Sequence, residues 1–336
     1  MTEEIKKQEA QQILMADHAD NNDGGDIFIY RGGRAPLHVT HALIDKSINE
    51  IEAHAFDYCK HLLTVETHND IRKVKAFVFY RCRSLRRMNL KSAVEINTWA
   101  FAVCVNLESV EFGDRLETIG NRAFCECPLK HLKLPSIITI GACAFSNCTR
   151  LRDIELSERL ESIDWSAFWK CERLQRIAIP LKRNLFKFSD NVGKYNQFDK
   201  CEKLATVNLV GGIHKTVSSL HMESWRTEMI TEINRINQVL PTTPANDKSN
   251  EIQQWMETVL DKMDRYKAEH CRYVKEGMTL LELALWKAKL GEKEEYAVEM
   301  GSKRAKVDVE SYRREKRITC GADMVIKNVL PFLQLK

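Results

Sequence analysis

Seven of the eleven cysteines recur at one fixed spacing, and they are the residues most able to do chemistry. Cysteine thiolates bind zinc and act as nucleophiles. Each of the seven follows a phenylalanine by three residues, as in CAFSNCTRLRDIEL (143–156) and SAFWKCERLQRIAI (166–179). These cysteines are Cys59, Cys82, Cys104, Cys127, Cys148, Cys171 and Cys201. The spacing raises the question of whether the thiols converge on one site or form a line.

The phenylalanines answer this question, because their spacing is that of a repeat. They are Phe56, Phe79, Phe101, Phe124, Phe145, Phe168 and Phe198, with intervals of 23, 22, 23, 21, 23 and 30 residues. Self-similarity at a period of about 20 to 50 residues indicates a solenoid or a related repeat fold. One coil is a residue short at Pro128, and LKRNLFKFSDNVGKYNQ is inserted before the last coil.

Each coil also contains a segment that alternates polar and apolar residues, such as LESVEF (107–112) and LRDIEL (151–156). This pattern predicts one short, half-buried strand per coil. The strands of successive coils would pair in a parallel sheet at about 4.8 Å, because no single coil can bury its own apolar edge. Gly120 and Gly141, with Asn97 and Asp164 at the same place in other coils, predict a turn residue of positive φ.

In such a stack the seven thiols form a line, with one thiol per coil. A zinc site needs about four ligands that converge on one point, so the line predicts small buried side chains with a weak donor, and no metal or other cofactor. Cys125 and Cys143 lie outside the line, and nothing marks them as ligands. Either Cys271 or Cys320 could be a reactive thiol, although no neighbouring motif indicates a lowered pKa.

The segment HLKLPSIITIGACAFSNCTRL (131–151) resembles the BspA-type leucine-rich repeat nearly in full, and the resemblance covers about residues 39 to 210. The segments YRGGRAPLHVTHALIDKSI, LLELALWKAKL and RITCGADMVIKNVLPFL further resemble an expanded group of such proteins in diatom algae. The resemblance implies a right-handed solenoid, here of about seven coils. It also implies a role in binding other macromolecules, and it transfers no catalytic residue.

The fold class predicted is α+β, a leucine-rich-repeat solenoid followed by a helical region. Residues 1–26 are predicted to be a polar segment, partly helical or flexible, and residues 27–212 the solenoid. The segments IFIYRGG and LHVTHALID would form strands that cap its first coil. Residues 213–336 are predicted to be helical, with packing faces that could also mediate docking or a homo-oligomer.

Three helices are predicted in that region. Trp225, Met229, Ile233, Ile236 and Leu240 fall on one helical face. A second helix would begin after Asn250, which with Gln253 can form a capping box. Thr279 with Glu282 forms another such pair, and would open a third helix over LLELALWKAKL that Gly291 ends.

The bulk composition excludes several functional classes. A net charge of +4 over 336 residues carries no whole-chain signature of nucleic-acid or membrane binding. The amino terminus has no secretory pattern and no apolar run of about 18 residues occurs, which predicts an intracellular, cytoplasmic protein with reduced thiols. Phosphate-binding, zinc-protease and nucleophile-elbow motifs are absent, so a non-enzyme is expected, with a hydrolase of unknown type as a remote alternative.

The strands predict the contact surface, because residues that flank the core aliphatics point outward in parallel rows. Mixed charge in these rows favours a protein or peptide partner over a polyanion. The alternative is a solvated sheet face without a ligand. The predicted partner-binding residues are Glu66, Arg87, Asn89, Glu111, His131, Lys133, Asp153, Glu155, Arg176 and Asn208.

Two basic clusters, at 72–91 and 303–317, support a different hypothesis, in which the chain binds nucleic acid or another acidic surface. Such charge runs are more often solvated, so nucleic acid is the less favoured partner. The residues predicted for polyanion binding are Arg81, Arg83, Arg86, Arg87, Arg313, Arg314, Lys316 and Arg317.

Overall fold

The computed structural model describes residues 27–188, 196–211, 217–218 and 222–299, and the side chains of the last segment as far as residue 287. The strands are β1 (Ile27–Tyr30), β2 (His41–Ile44), β3 (Glu50–Ile51), β4 (Thr64–Glu66), β5 (Lys73–Val74), β6 (Arg87–Leu90), β7 (Glu95–Ile96), β8 (Ser109–Phe112), β9 (Thr118–Ile119), β10 (His131–Leu134), β11 (Thr139–Ile140), β12 (Asp153–Leu156), β13 (Ser162–Ile163), β14 (Arg176–Pro180) and β15 (Thr206–Val210). The helices are α1 (Glu223–Val239) and α2 (Lys248–Glu299).

The longer strands confirm the predicted parallel pairing of successive coils. They form the sheets β1-β2-β4, β6-β8 and β10-β12-β14-β15, all with parallel neighbours. Equivalent residues of successive coils face each other, because every coil repeats the same alternation of polar and apolar residues. For example, Ile154 faces Ile177. The strands β1 and β2 extend the first sheet at its N-terminal end, as predicted.

A second parallel sheet shows that the prediction of one strand per coil was wrong. The two-residue strands β3, β5, β7, β9, β11 and β13 pair in sequence order as a continuous six-stranded sheet. Each of these strands ends in a buried aliphatic residue, and these residues face each other across the sheet, as Ile96 faces Ile119. Two residues are too few to show an alternation of period two, so the pattern could not reveal these strands.

The seven phenylalanines form one continuous stack, which we call the phenylalanine ladder. Neighbouring ring centroids lie 5.0 to 5.6 Å apart with planes within 20° of parallel, and every ring is fully buried. Tyr30 contacts the first ring at 5.1 Å. The predicted solenoid is therefore confirmed, and we number its coils 1 to 7 by their ladder rings, from Phe56 to Phe198.

The residues of positive φ are not those predicted. Neither Gly120 nor Gly141 has positive φ, and both instead allow close approach, since a Cβ on Gly120 would lie 2.7 Å from the Thr98 nitrogen. Apart from Asn184, the non-glycine residues of positive φ lie two residues before or after a ladder ring, as His54 and Tyr58 do around Phe56. In this conformation the amide points along the stack, and Tyr58 donates to the Tyr80 carbonyl at 2.8 Å.

The helical region also differs from its prediction. The helix α1 buries Trp225, Met229 and Ile236, as the stripe predicts. The two later helices are one, because α2 runs without a break through Gly291, where glycine costs about 1 kcal/mol relative to alanine. Asn250 and Thr279 therefore cap nothing: α2 begins earlier, and the Thr279 hydroxyl bonds to the Lys275 carbonyl.

The helices supply polar groups that close the C-terminal end of the solenoid. Lys248 Nζ donates to the carbonyls of Cys201, Glu202 and Leu204 at 3.2, 2.9 and 2.6 Å. Ser249 Oγ accepts from the Phe198 amide at 3.1 Å, where earlier coils use a carbonyl of the next coil. These bonds satisfy backbone groups that an open end would leave unpaired.

The chain divides into two compact units, Met1–Lys262 and Met263–Lys336. The predicted boundaries at residues 26 and 212 stay predictions. Among the described residues, no helix has the length and apolar character needed to cross a bilayer.

Candidate functional site

The seven cysteines of the repeat lie in a line, which we call the cysteine ladder. Cys59 Sγ donates to the Pro36 carbonyl at 3.6 Å, and each of the other six thiols donates to a phenylalanine carbonyl of the preceding coil. Cys82 Sγ donates to the Phe56 carbonyl at 3.0 Å, and Cys104 Sγ donates to the Phe79 carbonyl at 3.1 Å. The same bond recurs in every later coil, at 3.1 to 3.3 Å. The described residues contain no group of side chains that could hold a metal ion. The ladder is thus a row of internal hydrogen bonds between coils.

Burial makes these thiols poor nucleophiles. It raises the pKa of Cys59 to about 11, and it raises the pKa of Cys82, Cys104 and Cys127 further. Only the thiolate reacts or binds metal, so a thiol with a raised pKa is inert near neutral pH. Cys271 is exposed, whereas Cys320 lies outside the described residues.

The predicted outward rows lie where the alternation places them, on the side of each longer strand away from the core. Arg87 faces Ser109 and Asn89 faces Glu111 across one strand pair. His131 and Lys133 face Asp153 and Glu155 across another, and Arg176 then faces Thr206. These side chains are exposed or half-buried. We call this surface the strand rows.

Most charged members of the strand rows are paired with each other. Lys133 and Glu155 form an ion pair at 3.3 Å between neighbouring strands, and both are more than half exposed. Asp153 lies between His131, at 3.0 Å, and Arg176, at 3.2 Å. Alternating signs therefore run across the strands, so the surface carries much charge but little net charge.

The remaining members of the rows differ in this respect. Glu111 forms an ion pair at 2.8 Å with Lys91, and Lys91 was not a predicted site residue. Arg87 and Glu66 form no ion pair within the part of the chain that the structure describes. The Asn89 side chain accepts from the Lys91 amide at 3.1 Å, while Asn208 is exposed at the end of the last sheet.

The four predicted polyanion residues that the structure describes do not lie on one face. Arg81 packs on tyrosine rings in a turn, whereas Arg87 lies on the outward side of β6. Arg83 and Arg86 are exposed between these two places. Nearby Lys73 and Lys75 already pair with Glu95 and Glu50 of neighbouring coils. Arg313, Arg314, Lys316 and Arg317 lie outside the described residues.

A second surface lies on the turns of coils 1 to 4, and of its residues only Arg81 was a predicted site residue. Its rings and guanidinium groups flank the ladder phenylalanines, and several of them have positive φ. The only signal in the sequence is that aromatic residues recur one or two places from a ladder ring. We define the turn patch as Tyr58, Phe77, Tyr80, Arg81, Trp99 and Arg122.

The comparisons with known sequences agree with the geometry. Six copies of a repeat described as the BspA type leucine rich repeat region match residues 37–139 and 117–239, which together cover more than half of the chain. A search of curated protein sequences gives no significant match.

Solved structures with similarity to the chain include three bacterial proteins. A leucine rich cell surface protein of Faecalibacterium prausnitzii is 20% identical with a TM-score of 0.35, over 53% of this chain and 62% of that one. A leucine rich repeat protein of T. pallidum is 24% identical with a TM-score of 0.35, over 50% and 68%. The pneumococcal vaccine antigen PcpA is 16% identical with a TM-score of 0.26, over 52% and 63%. The chain thus spans less than two thirds of the first of these structures.

Proposed function

The chain belongs to the BspA-type leucine-rich repeat family, and from this premise we propose that it is a non-catalytic interaction module that binds a protein or peptide through the strand rows. Such repeats typically serve as protein-interaction modules. The observation that carries the proposal is the register of the outward residues: side chains of both signs lie in files on neighbouring parallel strands. The pairing of backbone groups fixes their spacing, so the surface is rigid before a partner arrives.

The ion pairs within the strand rows are exchangeable. An exposed pair contributes about 0 to 1 kcal/mol, because water screens the charges and the side chains lose freedom when they pair. A partner can therefore replace the Lys91–Glu111 or Lys133–Glu155 pair at small cost. A partner that presents the wrong sign meets repulsion, so the alternating pattern supplies selectivity.

Charge reversal of two row carboxylates tests the proposal. The double variant Glu111→Lys/Glu155→Lys removes both pairs and reverses the local charge. A true partner is identified by affinity capture from native extract. We expect its affinity for the double variant to be at least about tenfold lower, which corresponds to about 1.4 kcal/mol. The thermal midpoint should change little, because exposed pairs contribute little to stability.

The matched control is Asp114→Lys/Glu158→Lys. These two exposed carboxylates lie in the turns just after β8 and β12, in the same coils, and the double substitution changes the net charge equally. Partners should be captured by this control as by the unchanged protein. If both double variants retained the partner equally, the strand rows would not be the contact surface.

A further inference from the structure

The turn patch stands at backbone positions that do not favour large side chains. Phe77, Trp99 and Arg122 lie two residues before a ladder ring and have φ of 59°, 61° and 55°. A bulky residue in this left-handed region is uncommon, at a cost of about 1 to 2 kcal/mol. The backbone requires the conformation, since the Phe77 and Trp99 amides donate to the next coil at 3.1 and 2.9 Å. It does not require aromatic side chains, because Cys143 and Ser166 occupy the same place in later coils.

The rings and cations of the patch hold each other in fixed positions. Phe77 stacks between His54 at 5.0 Å and Trp99 at 6.0 Å, with planes within 9°. Arg122 lies over the Trp99 ring at 4.9 Å. Arg81 lies over both Tyr58, at 5.5 Å, and Tyr80, at 5.2 Å. Stacking on a ring fixes the plane of a guanidinium and leaves its N–H edge for an acceptor.

The two arginines differ from Lys133 and Arg176 of the strand rows, which pair with Glu155 and Asp153. Neither Arg81 nor Arg122 forms an ion pair or a side-chain hydrogen bond among the residues that the structure describes, and Arg81 Nε is buried without an acceptor. Asp57, a carboxylate of the first turn, is already bound by Arg34 at 2.6 Å and His54 at 3.0 Å. No ion pair among the described residues therefore neutralises the charges of Arg81 and Arg122.

From these observations we propose that the turn patch is a second docking surface, and that its ligand is an acidic segment of a protein partner. Carboxylates match guanidinium edges, which can bind them through two parallel hydrogen bonds. Aromatic ring edges carry partial positive charge and add to the attraction. Tryptophan, tyrosine and arginine are also the residues that contribute most often to protein–protein binding energy.

Single-stranded nucleic acid is the competing ligand, and the ring geometry disfavours it. Proteins bind single strands by stacking bases on open aromatic faces. In this patch, both faces of Phe77 are covered by His54 and Trp99, and the far face of Trp99 is covered by Arg122. The stacked planes are already in contact, so no base fits between them without separating the coils.

A direct binding measurement tests the proposal without knowledge of the natural partner. The probe is a fluorescein-labelled decapeptide of alternating glutamate and glycine, measured by fluorescence anisotropy at low salt with the whole chain. We expect Arg81→Ala/Arg122→Ala to weaken binding at least about tenfold. Arg81→Lys/Arg122→Lys keeps the charge but loses the planar stacking, and we expect it to lose about as much.

The matched control is Arg115→Ala/Arg173→Ala, which removes two exposed arginines that form no ion pair among the described residues. We expect this control to change affinity by less than about twofold. An equal loss of affinity in the control, or full affinity in the lysine variant, would show that the peptide binds through nonspecific charge attraction and would overturn the proposal. A decanucleotide of single-stranded RNA that bound the patch more tightly than the peptide would overturn the ligand class.

The turn patch does not depend on the strand rows, and the same assay separates the two proposals. Glu111→Lys/Glu155→Lys should bind the acidic peptide with at least the affinity of the unchanged protein, because neither residue belongs to the turn patch. Circular dichroism and the thermal midpoint check that each variant is folded. Should Arg81→Ala/Arg122→Ala fail to fold, Tyr80→Ala and Trp99→Ala test the surface singly, and peptide binding unchanged in both would overturn it.

Discussion

Six of the seven ladder cysteines donate the S–H to the carbonyl of a phenylalanine in the preceding coil, and this bond explains why one residue type recurs. The thiol is small enough to lie beside a stacked ring and can still satisfy a buried carbonyl. A valine of similar size would remove this bond and leave the carbonyl only its bond from the backbone amide three residues later, as from Cys82 to Phe79 at 3.1 Å. The lost hydrogen bond contributes about 0.5 to 1.5 kcal/mol. The requirement is met separately in each coil, so the residue repeats with the period of the backbone.

Thiol reactivity follows from this burial. At pH 8, the Cys59 pKa of about 11 lowers the thiolate fraction about 100-fold relative to a thiol of pKa 9.0. We expect maleimide to label Cys271 rapidly in the folded protein and the cysteine ladder at least about 100-fold more slowly, as measured by peptide mass spectrometry. Labelling in urea is the control, since every thiol should then react. Equal rates in the folded protein would contradict the burial of the ladder.

The helices α1 and α2 are joined by a group of charges that the sequence pattern did not reveal. Glu232 of α1 accepts from Arg235 at 2.8 Å and from Lys262 of α2 at 2.9 Å. The indole of Trp255 donates to the Glu232 carbonyl at 2.9 Å. Burial of the Glu232 carboxylate acts to raise its pKa, but the bonds from Lys262 and Arg235 prevail and lower the pKa. The ionised form therefore stabilises this helix pair.

The pH dependence of this stabilisation has a defined sign. Because the pKa of Glu232 is lower in the folded chain than the ordinary 4.5, its contribution is complete above about pH 4.5 and is lost as pH falls through the folded-state pKa. We expect Glu232→Gln to lower the free energy of unfolding by about 1 to 3 kcal/mol at pH 7 and by less at pH 3. Urea unfolding at both values measures the difference. A constant difference would show that the carboxylate charge does not contribute.

Glu223→Gln is the control for this substitution. It removes a carboxylate from the first turn of the same helix, where the side chain is exposed. Its effect on the free energy of unfolding should stay below about 1 kcal/mol, the usual range of an exposed charge near a helix terminus.

What the sequence could predict at this scale depends on how often a pattern is repeated. The ladder residues and longer strands occur in nearly every coil, so their pattern identifies the solenoid. The two-residue strands, such as β9, are too short to produce a pattern in the sequence. The prediction that a helix ends at Gly291 depended on that single residue, and α2 continues through it. The strand rows follow from alternation, but the pairing of Lys133 with Glu155 follows only once the register is known. The turn patch could likewise be identified only once the register of the coils is known.

Across the whole solenoid, the stability of every coil depends on its neighbours, because rings stack between coils and because thiols and amides form hydrogen bonds between them. Phe124 shows the consequence, since its ring stacks on Phe101 at 5.1 Å and on Phe145 at 5.5 Å. It also lies between β8 and β10, one of the two places where the longer strands are not paired while the six-stranded sheet continues. A cavity at this ring thus lies where neighbouring coils are not joined through their longer strands.

Phe124→Ala should therefore destabilise the solenoid from the middle. Removal of a buried ring costs about 3 to 5 kcal/mol, partly because the cavity cannot collapse between two stacked rings. Since repeats are stabilised by their nearest neighbours, we expect faster amide hydrogen exchange first in coils 3 to 5 and a lower urea midpoint. Phe188→Ala is the control, because that ring is 43% exposed and should contribute less than about 0.5 kcal/mol. Uniform acceleration of exchange over all seven coils would show that the solenoid unfolds as one cooperative unit, contrary to this prediction.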